Sequence, residues 1–378
     1  MPAERSAART PAGLAPAQAR DWLRLQARLA LRPEWLREPL LEGLPPDTLL
    51  ARARAEGLGR GGAPDPRGGS SSPERLDALV ARLESMAVRV LPLSDPAYPP
   101  ALAALVDAPA VLLVRGDARV LSRPAVAIVG ARAATRAARG VARRLARELA
   151  QAGLTVVSGL ARGIDGEAHR GALEAHAPTV GVLACGLDRL YPPEHRRLGQ
   201  EMARSGAVIS ELPLGTSPRA VYFPLRNRII SGLCLGVVVV EARRRSGSLI
   251  TVRHALAQGR EVFVVPGAVD GPFAEGGNQL LREGARPIRC GRDVLEDLGL
   301  PVPRPSSQDA TAHAGSGPLD GNASGVLARL ADGPATRDEL LVATGLDAQR
   351  LADVLIELEL MGRVEVERDG RLHACAGS

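Results

Sequence analysis

Seven short, β-branched apolar runs separated by helix-length spacers constrain this chain more than any other feature. The runs are Val111–Val114, Val126–Val129, Thr155–Val157, Val180–Leu183, Ala207–Ile209, Val237–Val240 and Val262–Val265. Short runs with no polar alternation suit strands buried on both faces, as in a parallel sheet. Parallel neighbours need crossover connections, and the segments 139–151, 165–176, 194–205 and 246–258 are long enough to be their helices. The pattern predicts an α/β domain over 91–300 built on a doubly wound, Rossmann-like sheet.

The chain of 378 residues is longer than that domain, and its composition changes on both sides. Residues 59–73 and 301–322 are rich in Gly, Pro and Ser with little to bury, and read as connectors. Residues 1–90, with Trp22, Leu23, Leu25, Trp35, Leu36, Leu40, Leu49 and Leu50 broken by Pro33 and Pro45-Pro46, predict a small cluster of short helices. Residues 323–378 give helical patterns near 324–331, 336–343 and 347–361. Two short strands follow, 363–368 and 371–374, across an Asp369-Gly370 turn. Three helices and a hairpin predict a winged helix.

Charge is distributed unevenly. Residues 1–90 carry a net +3, residues 91–300 a net +8 and residues 301–378 a net −5, which assigns any polyanionic partner to the middle. The third helix of the winged domain holds Asp347, Asp353, Glu357 and Glu359 against Arg350, a face that phosphates repel. A protein-contact or spacer role is expected of it. All 48 basic residues are arginine, as a G+C-rich genome would also produce, which excludes chemistry needing a lysine amine such as a Walker-type phosphate contact or a Schiff base. Arginine still clamps phosphates through paired N–H donors and stacks on bases. Cys185, Cys234, Cys290 and Cys375 form no CxxC pair, and no uncharged run is long enough to span a bilayer. A cytoplasmic protein with no membrane contact, no metal and no cofactor is expected.

In doubly wound sheets ligands bind outside the carboxyl ends of the strands. After the apolar runs come Gly130-Ala131-Arg132, Ser158-Gly159 with Arg162-Gly163, Cys185-Gly186, Ser210-Glu211, Glu241-Ala242 and Pro266-Gly267. Glycines let backbone approach a ligand, and helix starts behind them aim N–H groups at anions. Together with the arginines they suggest a phosphate track. Phe223 lies close to Arg226, Asn227 and Arg228 in a chain only 2% aromatic. Either the ring stacks on a base while the arginines take phosphates, or the ring is core and the arginines brace a helix. Ser246-Gly247-Ser248 is an N-cap or an anion site, and Gly276-Gly277-Asn278 before a helix at 279–283 reads alike. Asp165 and His169, one helical turn apart, are either an acid/base pair or a helix-start carboxylate and a packed imidazole. Glu211 and Glu241 either hold a ligand or pair with arginines.

Read in order, these residues closely resemble the DprA (Smf, DNA-processing protein A) family over about 95–295. Beyond those quoted, the matching positions include Tyr98-Pro99, Gly186-Leu187-Asp188 with Tyr191-Pro192, Leu249-Ile250-Thr251 and Gly284-Ala285. The resemblance implies an extended Rossmann domain flanked by an N-terminal SAM-like helical domain and a C-terminal winged helix. It also implies a homodimer, with apolar residues near 262–290 as candidates for its interface. The implied function is non-enzymatic: a recombination mediator that holds single-stranded DNA and helps load RecA during natural transformation, relieving the block by single-strand-binding protein. Carried over by position, Arg132 is the phosphate arginine, with Ala131 where Ser is usual. Phe223 is the stacking aromatic, with Arg226, Asn227 and Arg228 in its pocket. Arg219 stands beside Ala220, where the family often has lysine, and Arg196 or Arg197 substitutes for a basic residue at Pro193. The nucleic-acid-binding set is therefore Gly130, Arg132, Gly159, Arg162, Arg219, Phe223, Arg226, Asn227, Arg228, Ser246, Gly247, Ser248 and Asn278. The alternative is a nucleotide hydrolase similar to the cytokinin-activating phosphoribohydrolases. Their Pro-Gly-Gly-x-Gly-Thr-x-x-Glu signature is absent, since Ala268-Val269-Asp270 follows Pro266-Gly267.

Overall fold

Each of the seven apolar runs becomes a strand of one nine-stranded sheet. The computed structural model describes residues 14, 16–29, 33–56, 73–269, 271, 273–302, 321–360, 363–366 and 371–374. Most of both connectors, the Asp369-Gly370 turn and Cys375 lie outside the described residues. Two compact units are present, 1–302 and 303–378.

In the first unit the strands are β1 (Val88–Pro92), β2 (Val111–Gly116), β3 (Ala125–Gly130), β4 (Thr155–Ser158), β5 (Thr179–Val182), β6 (Ala207–Ser210), β7 (Gly236–Val240), β8 (Glu261–Val264) and β9 (Arg286–Pro287). Their order is β1-β2-β6-β5-β4-β3-β7-β8-β9. Pairing is parallel from β6 through β9 and antiparallel at the β1-β2-β6 edge. The two outermost strands are additions to the expected set. β9 is too short to show any periodicity, and β1 carries Arg89 within its apolar run.

Strand alternation divides the core. Val126, Ile128, Val238 and Val240 face one layer with Phe263, against α6 (Arg136–Gln151), α7 (Ile164–Glu174) and α12 (Gly291–Asp297). Ala125, Ala127, Val129, Val237 and Val239 face the other, against α8 (Arg196–Ser205), α9 (Tyr222–Gly232) and α10 (Ser248–Ala257). That second layer continues into α1 (Pro16–Leu29), α2 (Pro33–Leu41), α3 (Pro46–Ala55) and α4 (Pro73–Ser85), where Trp22, Leu25, Leu36, Leu49 and Leu76 are buried. Polar ties add to the contact: the Gln26 amide donates to the Glu211 carbonyl at 2.9 Å, and the Arg37 guanidinium to the Leu105 carbonyl at 2.9 Å. The short helices α5 (Pro100–Ala103) and α11 (Glu275–Arg282) complete the unit. No described helix is long and apolar enough to cross a membrane.

The second unit is a winged helix of α13 (Gly321–Ala331), α14 (Arg337–Thr344), α15 (Ala348–Leu360) and the hairpin β10 (Val364–Val366) and β11 (Leu372–Ala374). Val326, Leu330, Leu340, Leu351, Leu355, Leu358 and Leu372 fill its core. Thr336 and Glu339 form a capping box, each side chain bonding the other's backbone N–H, so α14 starts there. On α15 the exposed positions include Asp353, Ile356 and Glu359, which leaves that helix an acidic outer face.

A buried ion pair fixes α9 to the end of β6. The Arg228 guanidinium is 2.6 Å from a Glu211 carboxylate oxygen and 3.4 Å from Asp107, and both Arg228 and Glu211 are buried. Burial pushes the Glu211 carboxyl up, against the pull of Arg228. Removing one partner leaves an uncompensated buried charge, whereas replacing both with apolar groups of similar volume does not. Arg228→Ala is therefore expected to cost about 3–5 kcal/mol in urea unfolding, and Arg228→Met with Glu211→Leu to recover most of that loss.

Candidate functional site

The chain lays down β3, β4, β5 and β6 in one direction and then returns to the far side of β3 for β7 and β8. Such a reversal leaves a crevice at the carboxyl ends of the two strands where it happens, here β3 and β7. The seam is tightly bonded. The Ala131 N–H donates to the Glu241 carbonyl at 2.8 Å, and the Glu241 carboxylate accepts from the Thr135 N–H at 2.9 Å and its hydroxyl at 2.6 Å. Thr135 in turn caps α6 by accepting from the Ala138 N–H at 3.1 Å. Glu241 holds a left-handed backbone (φ 51°), an unfavourable conformation for a residue with a Cβ. Its carboxylate therefore ties the end of β7 to the start of α6, and among the described residues no arginine lies within ion-pair distance of it. Across the loop, Gly163 (φ 74°) packs so tightly that a Cβ would run into the carbonyls of Ala131 and Arg132. Held by these contacts, the 130–135 segment exposes Arg132.

A cleft of about 750 Å³ opens at this seam. Arg132 places its guanidinium carbon 4.7 Å from the centroid of the Phe223 ring. Tyr191 meets the same ring edge-on, with centroids 6.2 Å apart and planes at 67°. Arg226 approaches it at 6.0 Å from within the protein. Its buried guanidinium donates to the carbonyls of Gly159 (2.8 Å) and Val182 and to the Asn227 amide oxygen (3.1 Å). Burial lowers it to about 10, against the opposing pull of Asp165, so it remains a cation at neutral pH. Gly159 serves this arginine, for a Cβ there would overlap the guanidinium. At the start of α10, the hydroxyls of Ser246 and Ser248 lie 2.7 Å apart, and the Asn227 amide reaches the Gly247 carbonyl at 3.4 Å. Among the described residues, four arginines line the cleft, Arg132, Arg226, Arg243 and Arg245, against the single carboxylate of Asp165.

Of the positions expected from the sequence, Gly130, Arg132, Phe223, Arg226, Asn227, Ser246, Gly247 and Ser248 line this cleft together. Five do not. Gly159 lies behind Arg226. Arg228 turns away into its pair with Glu211. Arg162 is drawn to Glu194 on the surface. Arg219 is exposed beside the lining residues Pro218 and Ala220. Asn278 makes two hydrogen bonds with the backbone of Gly267, at 3.3 and 3.2 Å. Arg196 opens instead onto a separate hollow of about 240 Å³ with Arg82 and Arg115, and Arg197 pairs with Glu201. Arg243, Arg245, Tyr191 and Phe273 also line the cleft, although sequence reasoning did not single them out as binding residues. The run Arg243-Arg244-Arg245 directly behind a strand end was the available signal for two of them. Among the described residues, none of Arg132, Arg243 and Arg245 lies within ion-pair distance of a carboxylate. Exposed cations beside a flat ring and a helix N-terminus suit an anionic ligand that carries flat apolar groups.

Residues 89–299 match the family described as DNA recombination-mediator protein A, and residues 310–370 match the DprA winged helix domain. The chain belongs to this family. It is 41% identical over 225 residues to the DNA processing protein DprA of Bacillus subtilis, covering 59% of this chain and 76% of that one. The Escherichia coli protein Smf is 42% identical over 224 residues, 59% of this chain and 60% of that one. The X-ray structure of DprA from Streptococcus pneumoniae superposes with a TM-score of 0.63 at 32% identity, covering 76% of this chain and 99% of that one. DNA processing protein A from Helicobacter pylori, whose structure was determined for its single-stranded DNA binding mode, gives a TM-score of 0.51 at 32% identity over 56% of this chain and 95% of that one. Membership gives the chain a DNA-processing role; the α/β fold is shared with the Streptococcus pneumoniae structure, and the C-terminal unit matches the family's winged helix domain.

Beside the cleft, Asp165 and His169 bond to different partners. The Asp165 carboxylate accepts from the N–H groups of Gly159 (3.1 Å) and Ala161 (3.4 Å), and burial pushes it up against the pull of Arg226. His169 is fully buried, with Nδ1 2.8 Å from the Thr179 hydroxyl. That hydroxyl donates to the Val156 carbonyl at 2.7 Å, so it accepts from a protonated Nδ1. Burial and the neighbouring cationic groups lower the imidazole from 6.5 to about 3. The folded state therefore binds fewer protons than the unfolded one between those values, and acid withdraws stability below pH 6.5. In wild-type protein this site should cost up to about 1.4 kcal/mol per pH unit as pH falls toward about 4. Urea unfolding of His169→Gln across that range should lack this part of the slope.

Proposed function

We propose that the cleft between β3 and β7 binds single-stranded DNA without reading its sequence. The observation that carries this is the exposed Arg132 guanidinium stacked on Phe223, with no carboxylate in ion-pair reach among the described residues. A single strand offers a regular line of phosphates and unstacked bases, which such a pair accommodates one nucleotide at a time. A duplex keeps its bases stacked inside and has no use for the ring. Single-stranded DNA binding by the Helicobacter pylori relative supports the same ligand.

The Gly130 backbone, Arg132, Phe223, Arg226, Asn227 and the Ser246-Gly247-Ser248 turn form the contact surface. Residues 1–90, 91–300 and 323–378 act as three modules, with the acidic winged helix contributing protein contacts rather than DNA affinity. Working as a homodimer in the cytoplasm, the protein protects incoming strands, meets single-strand-binding protein on them and helps load RecA during natural transformation. No turnover accompanies these steps. Exposed Leu225 and Leu256, on the mutually packed α9 and α10, are candidates for the dimer contact alongside Val269 in the stretch 262–290.

Arg132→Ala and Phe223→Ala are each expected to weaken binding of a short thymidine oligonucleotide on the order of 10-fold in fluorescence anisotropy, with the thermal midpoint unchanged. Arg132→Ala should also reduce the slope of log affinity against log salt by about 1. Wild-type affinity in both variants would overturn the assignment. Release of free base from nucleoside monophosphates by the purified protein would establish a hydrolase instead.

A further inference from the structure

The chain has three phenylalanines, and Phe263 is fully buried in the sheet. The other two, Phe223 and Phe273, both line the same cleft, although they come from chain segments on different sides of β7. Phe273 sits in the connection between β8 and α11, half-buried, and the Arg243 guanidinium carbon lies 4.4 Å from its ring centroid. This repeats the Arg132–Phe223 arrangement at 4.7 Å. A flat apolar face beside a cation is what one nucleotide requires, base against ring and phosphate against guanidinium.

Several contacts hold Phe273 in this position. The Ala274 N–H donates to Gly271 and the Asn278 N–H to Ala274, at 3.0 and 2.8 Å, closing turns on both sides of the ring. The Gly276 N–H donates to the Ala242 carbonyl at 2.8 Å, and a Cβ on Gly276 would collide with the backbone of Ala242 and Arg243. The loop carrying the ring is thereby docked onto the segment carrying its arginine. Asn278, bonded twice to Gly267, closes the base of the same loop.

We propose that Phe273, with Arg243, is a second base-binding platform, so that the cleft grips two nucleobases of one strand. This rests on the single-strand reading of the cleft above. It gives Asn278 and Gly276 the role of positioning the second platform, and Arg245, which also lines the cleft, that of a phosphate contact.

The test is an abasic scan, moving one missing base along a short thymidine oligonucleotide and measuring affinity for wild type, Phe223→Ala, Phe273→Ala, Phe273→Leu and Phe273→Trp. Phe273→Ala and Phe273→Leu are expected to weaken the intact oligonucleotide on the order of 10-fold, and Phe273→Trp to retain binding, because a stacking face rather than apolar bulk is required. Wild type should show two sensitive strand positions. Phe273→Ala should lose one of them and Phe223→Ala the other. If Phe273→Ala binds like wild type while Phe223→Ala does not, the second platform is overturned and the single-strand reading stands. If neither variant changes affinity, that reading itself fails, and the second platform with it.

Discussion

Parallel strands joined by helices must keep all their connections in the same hand, and a chain that builds outward from one central strand in both directions leaves an opening where it turns back. Here that strand is β3, with β4 on one side and β7 on the other. The Ala131–Glu241 hydrogen bond ties the two ends of the opening, and the Glu241 carboxylate carries the tie on to Thr135 and the start of α6. Arg132, the seam and the first crossover helix therefore form one rigid assembly. A left-handed Glu241 and a close-packed Gly163 are the conformational cost of that rigidity.

Beneath the opening lies a buried cation. Arg226 is held by the carbonyls of Gly159 and Val182, by Asn227 and by the field of Asp165. Carbonyl oxygens at the ends of β4 and β5 are turned to solvating a guanidinium, so that positive potential reaches the cleft floor from a side chain that cannot swing away. Arg132, Arg243 and Arg245 complement it as exposed groups at the rim. A fixed cation below and exposed cations above suit an anionic ligand lying along the cleft.

The strands were legible because a parallel sheet covered on both faces writes itself as uninterrupted apolar runs, and all seven runs fell on strands. β1 and β9 were not, since edge strands carry polar residues or are too short to show a period. The winged helix was legible for a local reason as well: capping, helix length and a short hairpin are properties of neighbouring residues. In the cleft, Phe223 and Arg226 stand three apart on α9 and share a face, whereas Arg228, two further on, points elsewhere. Helical spacing separates those two arginines as soon as the segment is known to be a helix.

The sequence by itself determined the sheet, its crossovers, the glycine- and arginine-rich rim and the family, because these depend on local periodicity and on ordered motifs. Only the tertiary structure decided which rim residues meet. Phe273 and Arg243 lie 30 positions apart and touch because Gly276 lets one loop dock on another. Gly159 and Arg226, 67 apart, meet because a missing side chain leaves room for a guanidinium. Arginine has no fixed place in a pattern, since its long side chain is equally at home on a surface, in an ion pair or on a ring. What separates Arg132 from Arg228 is the presence of a carboxylate within reach, and only the folded chain brings one there.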